Sequence, residues 1–445
     1  MDRHVTRRTL LKGAAGASAV AVGVASKRSS SFAAPAVVSQ TGSKVKVVYW
    51  GSYSGNLGDA EQEVVKRFNA SQQDVELEYQ FQGTYEETAQ KLTAALQAKQ
   101  TPDVVLLSDV WWHKFYLNSA LAPMTDLLTS NEVDTTDYVD SLFIEGVRKD
   151  QSYWLPFARS TPLFYYNKEA YAEAGLNEAP TNWSQIVDAA SKLVKKEGDK
   201  TTRFAFGHPV GASYVAWLFQ GVVWQHGGAY SNPDFKIRIN EPGAVEAGEF
   251  YRSSIKDGWA NVSNDDNAPV TDFVTGLTAS TMASTGALAG ITKDATFKVG
   301  TAFLPMAKEF GCCTGGAGLA LMANAPKEKQ EAAFKYIAFA TSPETTTYWS
   351  QTTGYMPVRK SAATSADMQA FFKDNPNFKT AVDQLAKTRP QDAARVFIPN
   401  GDQIIGKGLE RITVNGDEAQ PVFDEVAKTL EEEAKPVVEA LKALD

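Results

Sequence analysis

The stretch "DVVLLSDVWWHKFY", residues 103–116, opens with an apolar run, Val104 to Leu107, that reads as a buried strand and stops at Ser108 and Asp109. Two tryptophans and a histidine follow at once. Working outward toward the N-terminus, "KVKVVYW" (44–50) reads as a strand, and "DAEQEVVKRFNAS" (59–71) as a helix with Asp59 as N-cap and Val64, Val65 and Phe68 on one face. "VELEYQF" (75–81) alternates Val75, Leu77, Tyr79 and Phe81 with the period of a half-buried strand. Thr84 and Glu87 form a capping box that opens a helix through Leu92 and Leu96. Strand, helix, strand, helix, strand is the alternation of a doubly wound α/β domain. In such a sheet the carboxyl ends of the strands face the ligand crevice, which places Asp109 and its aromatic neighbours at a binding cleft. The alternative is an Asp helix cap followed by core tryptophans.

At the start of the chain, Arg7 and Arg8 precede Leu10, Leu11 and Lys12 and then a weakly apolar stretch rich in Gly and Ala. That layout predicts a twin-arginine export signal over residues 1–36, with small residues such as Ala34 and Ala36 as cleavage points. Its apolar part, from about Gly13 to Ala25, is shorter than the ~20 residues of a membrane-spanning helix. No cysteine lies near the cleavage region to take a lipid anchor, so the expected location is periplasmic or extracellular. The segment holds six basic residues and one acid, so its loss takes the formal charge from −8 to −13. An acidic chain without Lys/Arg blocks argues against nucleic acid and anionic membrane surfaces as partners. Cys312 and Cys313 are adjacent, a spacing that disfavours a disulfide, so the core alone must hold the fold.

Further along, two prolines frame "FARST", and "LFYYN" then begins a new strand before a helix that Gly175 ends, the pattern of a crossing between two lobes. "SYVAWLFQGVVWQHGG" is a helix closed by Gly227 and Gly228, and Val422, Val426 and Leu430 mark an amphipathic C-terminal helix. His4, His113, His208 and His226 have no metal-ligand spacing, and no metal or cofactor is expected. Asp265 and Asp266 lack the loop pattern of a calcium site. "GDQIIGKG" (401–408) fails as a phosphate loop because Gly408 stands where Ser or Thr must hold magnesium. More informative is "CCTGGAGLALM", where Gly315, Gly316 and Gly318 permit close backbone approach: either free N–H groups at a loop or helix start face an anion, or the glycines make a tight turn into a buried element. Arg395 sits amid apolar residues, where a guanidinium needs a structural carboxylate or a ligand phosphate. Tyr355, after Gly354, either packs or donates to a ligand.

These motifs, with "STPLFYYNKEAYAEAGL", "APTNWSQIVDAASKL", "TMASTGALAGI" and above all "YWSQTTGYMPVRKSA", resemble extracellular solute-binding proteins of ABC importers, the maltose-binding-like group, over nearly the whole chain after the signal. Within the group, "GTYEET", "STPLFYYNK", "GGAG" and "TGYMPVRK" look most like the type that binds glycerol 3-phosphate and glycerophosphodiesters. The resemblance implies a two-lobed α/β fold of the periplasmic-binding-protein kind (type II), with the ligand cleft between the lobes. It assigns residues 44–157 and 288–342 to the first lobe and 158–287 and 343–445 to the second. It also implies site residues: Tyr85 and Asp109 for the glycerol hydroxyls, Ser160 at the lobe crossing, Ser284, Gly316, Tyr355 and Arg395 in the phosphate-facing half, and Trp217 as an aromatic wall. Asp109 stands where relatives often carry Glu, Tyr214 replaces a smaller residue of some relatives, and the spacing around Arg395 differs.

The expected function is therefore a non-catalytic, monomeric receptor that takes a phosphorylated glycerol compound to an ABC importer permease. A neutral mono- or oligosaccharide is the alternative ligand, since tryptophans and tyrosines supply stacking platforms, but it does not require Arg395 and Gly316. An exported hydrolase using carboxylates such as Asp265 and Asp266 is the alternative class.

Overall fold

The structure is a computed structural model of the chain and describes residues 44–262 and 268–444. The expected export segment 1–36, with His4, and the pair Asp265 and Asp266 lie outside these residues. The principal strands are β1 (Val45–Gly51), β2 (Val75–Phe81), β3 (Val104–Ser108), β4 (Leu155–Ser160), β5 (Pro162–Asn167), β6 (Phe206–His208), β7 (Ala260–Val262), β8 (Ser280–Ser284), β9 (Val299–Ala302) and β10 (Gly315–Leu321). They form two five-stranded sheets, ordered β2-β1-β3-β10-β4 and β7-β6-β8-β5-β9.

The two sheets share one plan. Each has three parallel strands in the order second, first, third, and then a reversed strand, β10 in one and β5 in the other. The reversed strand is contributed by chain that has just crossed from the other sheet. Only Thr161, fully buried, separates β4 of the first sheet from β5 of the second. The chain returns between β9 and β10, so the two lobes are tied at more than one crossing.

Continuous apolar runs become strands here because both faces of each sheet are covered. In β3, Val104 and Leu106 enter one core with Val47, Tyr49 and Phe334, while Val105 and Leu107 enter another with Trp112 and Trp154. β5 repeats this: Phe164 packs with Trp183 and Phe206, whereas Leu163 and Tyr165 pack with Phe273 and Met356. The expected mixed α/β, two-lobed architecture is thus the one observed.

Local differences have local causes. The first helix runs Gly55–Ser71 with Ser54 at its cap, not Asp59, because the preceding turn already buries Gly58 and packs Leu57 onto the core. Within the segment expected in the first lobe, β10 joins the first sheet but β9 pairs with β5 in the second. The helix Pro343–Thr353, expected in the second lobe, sets Trp349 against Phe157 of β4, ring centroids 4.6 Å apart. Sequence pattern marks a strand or helix but not its hydrogen-bonding or packing partner. Both cysteines are free and buried, and no described helix is long and apolar enough to cross a membrane.

Candidate functional site

A cleft of about 500 Å³ opens where strand ends of both sheets converge. All eight residues expected from the sequence line it: Tyr85, Asp109, Ser160, Trp217, Ser284, Gly316, Tyr355 and Arg395. The fold explains this convergence. Asp109 follows the carboxyl end of β3, and Ser160 and Ser284 are the last residues of β4 and β8. Tyr85 begins a helix whose start is fixed by the Thr84–Glu87 capping box. Trp217 lies on the helix Ala212–Gln225, Tyr355 follows Gly354, whose φ of 98° ends the preceding helix, and Arg395 lies in the short helix Ala393–Val396.

Charge at the floor of the cleft is arranged around Asp109, which is 6% exposed. Its backbone N–H donates to Gly316 O at 3.0 Å, which ties β3 to β10. Its Oδ2 accepts from Gln391 Nε2 at 2.5 Å, and its Oδ1 lies 3.9 Å from Arg395 Nη1. Arg395 in turn donates to Gln391 Oε1 and, at 3.4 Å, to Ser213 O, while its buried Nε has no partner among the described residues. A second cation, the fully buried Arg159, lies 4.0 Å from Asp109 Oδ2 and pairs with Glu145. Burial pushes the Glu145 carboxyl up, and Arg159 with the Thr314 hydroxyl opposes that shift. Two guanidinium groups therefore face two carboxylates, and unpartnered donors remain on both, Arg395 Nε on the cleft wall and Arg159 Nε and Nη1 behind it.

Hydroxyls and aromatic rings form the rest. Tyr53 bonds to the Tyr85 hydroxyl, and Tyr355 Oη donates to Tyr53 Oη at 3.3 Å. Burial raises all three phenols above their usual value, so they remain protonated donors. The Tyr214 hydroxyl accepts from the Ser284 N–H at 2.7 Å. Trp217 Nε1 donates to Thr314 O at 3.0 Å, which commits the indole N–H and leaves the ring face for contact.

Two expectations change. Gly316 is not in a loop or at a helix start but inside β10, paired on both sides. Glycine is required there sterically: φ is +105°, and a Cβ would lie 2.1 Å from Ala158 O. At Gly315 a Cβ would lie 2.3 Å from Trp217 Nε1. The tryptophan pair also divides. Trp112 packs beneath the cleft, stacked on Trp154 at 6.1 Å, but Trp111 lines the cleft, because successive residues entering a helix turn point about 100° apart. Sequence reasoning missed Arg159 and Gln391. Arg159 carried the same signal as Arg395, a guanidinium inside an apolar run, and Gln391 lies one helical turn before Arg395. No described group of His, Cys, Asp and Glu could hold a metal ion.

Comparison with known proteins bears on the fold and the family. Residues 63–380 match the family of bacterial extracellular solute-binding proteins. The crystal structure of UgpB from Mycobacterium tuberculosis in complex with glycerophosphocholine is similar at 43% identity and a TM-score of 0.83, covering 89% of this chain and 99% of that one. The sn-glycerol-3-phosphate-binding periplasmic protein UgpB of Escherichia coli (strain K12) is 26% identical over 362 residues, 77% of this chain and 81% of its own. The GacH receptor of Streptomyces glaucescens, at 18% identity, a TM-score of 0.77 and coverage of 88% and 99%, shares the fold. With the family match extending over most of the described residues and the fold in agreement, the chain belongs to the bacterial extracellular solute-binding proteins.

Proposed function

We propose that this chain is the receptor of an ABC importer that binds glycerol 3-phosphate or a glycerophosphodiester such as glycerophosphocholine between its lobes and presents it to the membrane permease. The observation that carries the reading is Arg395: a buried guanidinium on the cleft wall whose Nε lacks a partner. An orphan buried donor is costly unless a ligand acceptor meets it, and a phosphate is the acceptor best matched to a guanidinium. A neutral sugar has no need of that cation. Asp109, Tyr85 and Ser160 supply acceptors and donors for a polyol, and the likeness to a UgpB solved with glycerophosphocholine supports the same ligand class. The receptor acts as a monomer after export through the twin-arginine pathway, and its part in transport is binding, not turnover.

Calorimetric titration of the purified protein with glycerol 3-phosphate, glycerophosphocholine and maltose, beside Arg395→Ala, tests this. Binding of a phosphate compound that the substitution abolishes, with the ligand recovered unchanged after hours, is the expected result. Binding of maltose alone would overturn the ligand assignment and leave the fold intact.

A further inference from the structure

Asp402 lies on the cleft wall in the first turn of the helix Gly401–Glu410 and is 3% exposed. Its Oδ2 has no hydrogen-bond partner, and no ion pair reaches the side chain among the described residues. The helix N-terminus accounts for an anion being tolerated here, since the unpaired backbone N–H groups favour negative charge. It does not account for a buried carboxylate oxygen left without a donor, which costs free energy unless something binds it. The same cleft holds the rings of Tyr214 and Trp217, centroids 5.7 Å apart, with the Trp217 N–H already engaged. Next to Asp402, Gln403 Nε2 donates to Glu86 Oε2 at 3.4 Å, so a second carboxylate stands on this rim. An unpaired carboxylate lining the same cleft as aromatic faces is the chemistry that recognises an ammonium group, by charge and by cation–π attraction.

We infer that Asp402 builds a subsite for a positively charged head group esterified to the ligand phosphate, so that the cleft selects zwitterionic ammonium-bearing phosphodiesters over anionic ones whose head group is uncharged. This rests on the phosphodiester reading above: Arg395 takes the phosphate and Asp402 the cation. The carboxylate then discriminates by charge where the rings alone would accept any apolar group of similar shape.

The test is calorimetry on the full chain with glycerol 3-phosphate, glycerophosphocholine, glycerophosphoethanolamine, glycerophosphoglycerol and the 3,3-dimethylbutyl ester of glycerol 3-phosphate, whose head group has the shape of choline without its charge. The wild type is expected to prefer the two ammonium diesters to the two whose head groups are uncharged. In Asp402→Asn, the affinity ratio of glycerophosphocholine to its 3,3-dimethylbutyl counterpart should fall about tenfold, consistent with one lost charge contact. Thermal unfolding confirms that the variant is folded, and Asp402→Ser serves as the second variant if Asn destabilises the helix start. Equal losses for charged and uncharged head groups, or an unchanged ratio, would overturn the subsite while the phosphorylated-glycerol reading stands. Failure of the wild type to bind any of the five compounds would overturn both.

Discussion

Arg395 Nη1 stands 3.9 Å from Asp109 Oδ1, and Gln391 bridges the two, donating to the carboxylate and accepting from the guanidinium. Asp109 follows a strand of the first sheet, whereas Arg395 adjoins Ala394 and Ile398 in the core of the second. The ion pair therefore spans the cleft, and the two groups proposed to read the glycerol and the phosphate are held by each other. On the proposed reading, a ligand offers hydroxyls to Asp109 and an anion to Arg395 that together outweigh this internal arrangement. Removing Arg395 leaves Asp109 with Gln391 and Arg159 but takes from the cleft the cation proposed to meet the phosphate, and removing Asp109 leaves the Arg395 guanidinium without its carboxylate. Arg395→Ala and Asp109→Ala are each expected to lower affinity for the phosphate ligand by about 2–5 kcal/mol. Calorimetry measures this directly, and an unchanged dissociation constant in either variant would refute the assignment of that residue.

A second contact joins the lobes beside the cleft. Phe397 lies against the His113 ring, centroids 4.4 Å apart, with the Arg148 guanidinium 5.2 Å from the Phe397 ring. If this contact favours the closed arrangement, its loss shifts the lobes toward opening. Phe397→Ala should open the unliganded ensemble, seen as a larger radius of gyration in solution scattering that ligand reverses. Its affinity cost should be modest, about 1–2 kcal/mol, because only closing energy is lost. An unliganded radius equal to that of the wild type would remove Phe397 from the closure.

His113 looks like a pH switch at this junction, but its environment argues otherwise. Burial first, then Arg148, lowers its pKa to about 3, so it stays neutral through the physiological range. With the folded pKa below the unfolded value of about 6.5, its contribution to stability is present above that value and is lost as pH falls toward 3. Ligand affinity between pH 6 and 8 should not follow a histidine titration, and replacing His113 with Gln should leave the shape of that pH profile unchanged. A profile that steps near pH 6.5 in the wild type and flattens in the variant would contradict this.

Glu61 titrates in the opposite sense. Fully buried beneath the first sheet, it accepts from Tyr49 Oη at 2.5 Å and Tyr79 Oη at 2.8 Å, yet burial outweighs both donors and raises its pKa to about 7. The folded state holds this proton more tightly than the unfolded chain does. The resulting stability is therefore full below about pH 4.3 and is lost as pH rises to 7, a change of about 3 kcal/mol. Glu61→Gln should flatten that slope in urea unfolding measured from pH 4.5 to 8. A slope identical to the wild type would show that another group carries it.

Much of this was legible because the sequence and the structure obey the same constraint at particular residues. The Val104–Leu107 run is apolar at every position because both faces of β3 are buried, and its end at Asp109 marks the strand end that faces the cleft. Thr84 and Glu87 declared a helix start through their reciprocal bonds. What stayed hidden depends on partners distant in the chain. Nothing local to Val299–Ala302 says that its hydrogen bonds go to Pro162–Asn167, and nothing local to Asp402 says that one of its oxygens lacks a partner. Arg159 differs: its place in an apolar run was readable in the sequence, and what stayed hidden was its partners, the Glu145 pairing and the Asp109 contact.

Gly316 separates a backbone role from a ligand-binding one. Because it sits within a strand paired on both sides, at φ +105° and with Ala158 O where a Cβ would go, any side chain strains β10 itself. Strain at a position of this kind costs about 1–3 kcal/mol. The consequence reaches the cleft through one bond, since Gly316 O accepts the N–H of Asp109. Gly316→Ala should therefore lower the urea midpoint by an amount matching that strain and, in the folded protein, weaken ligand by displacing Asp109. A glycine that served only to admit phosphate close to the backbone would lose affinity with no change in stability. Measuring the unfolding midpoint and the dissociation constant on the same variant distinguishes the two, and the geometry of β10 requires that both move.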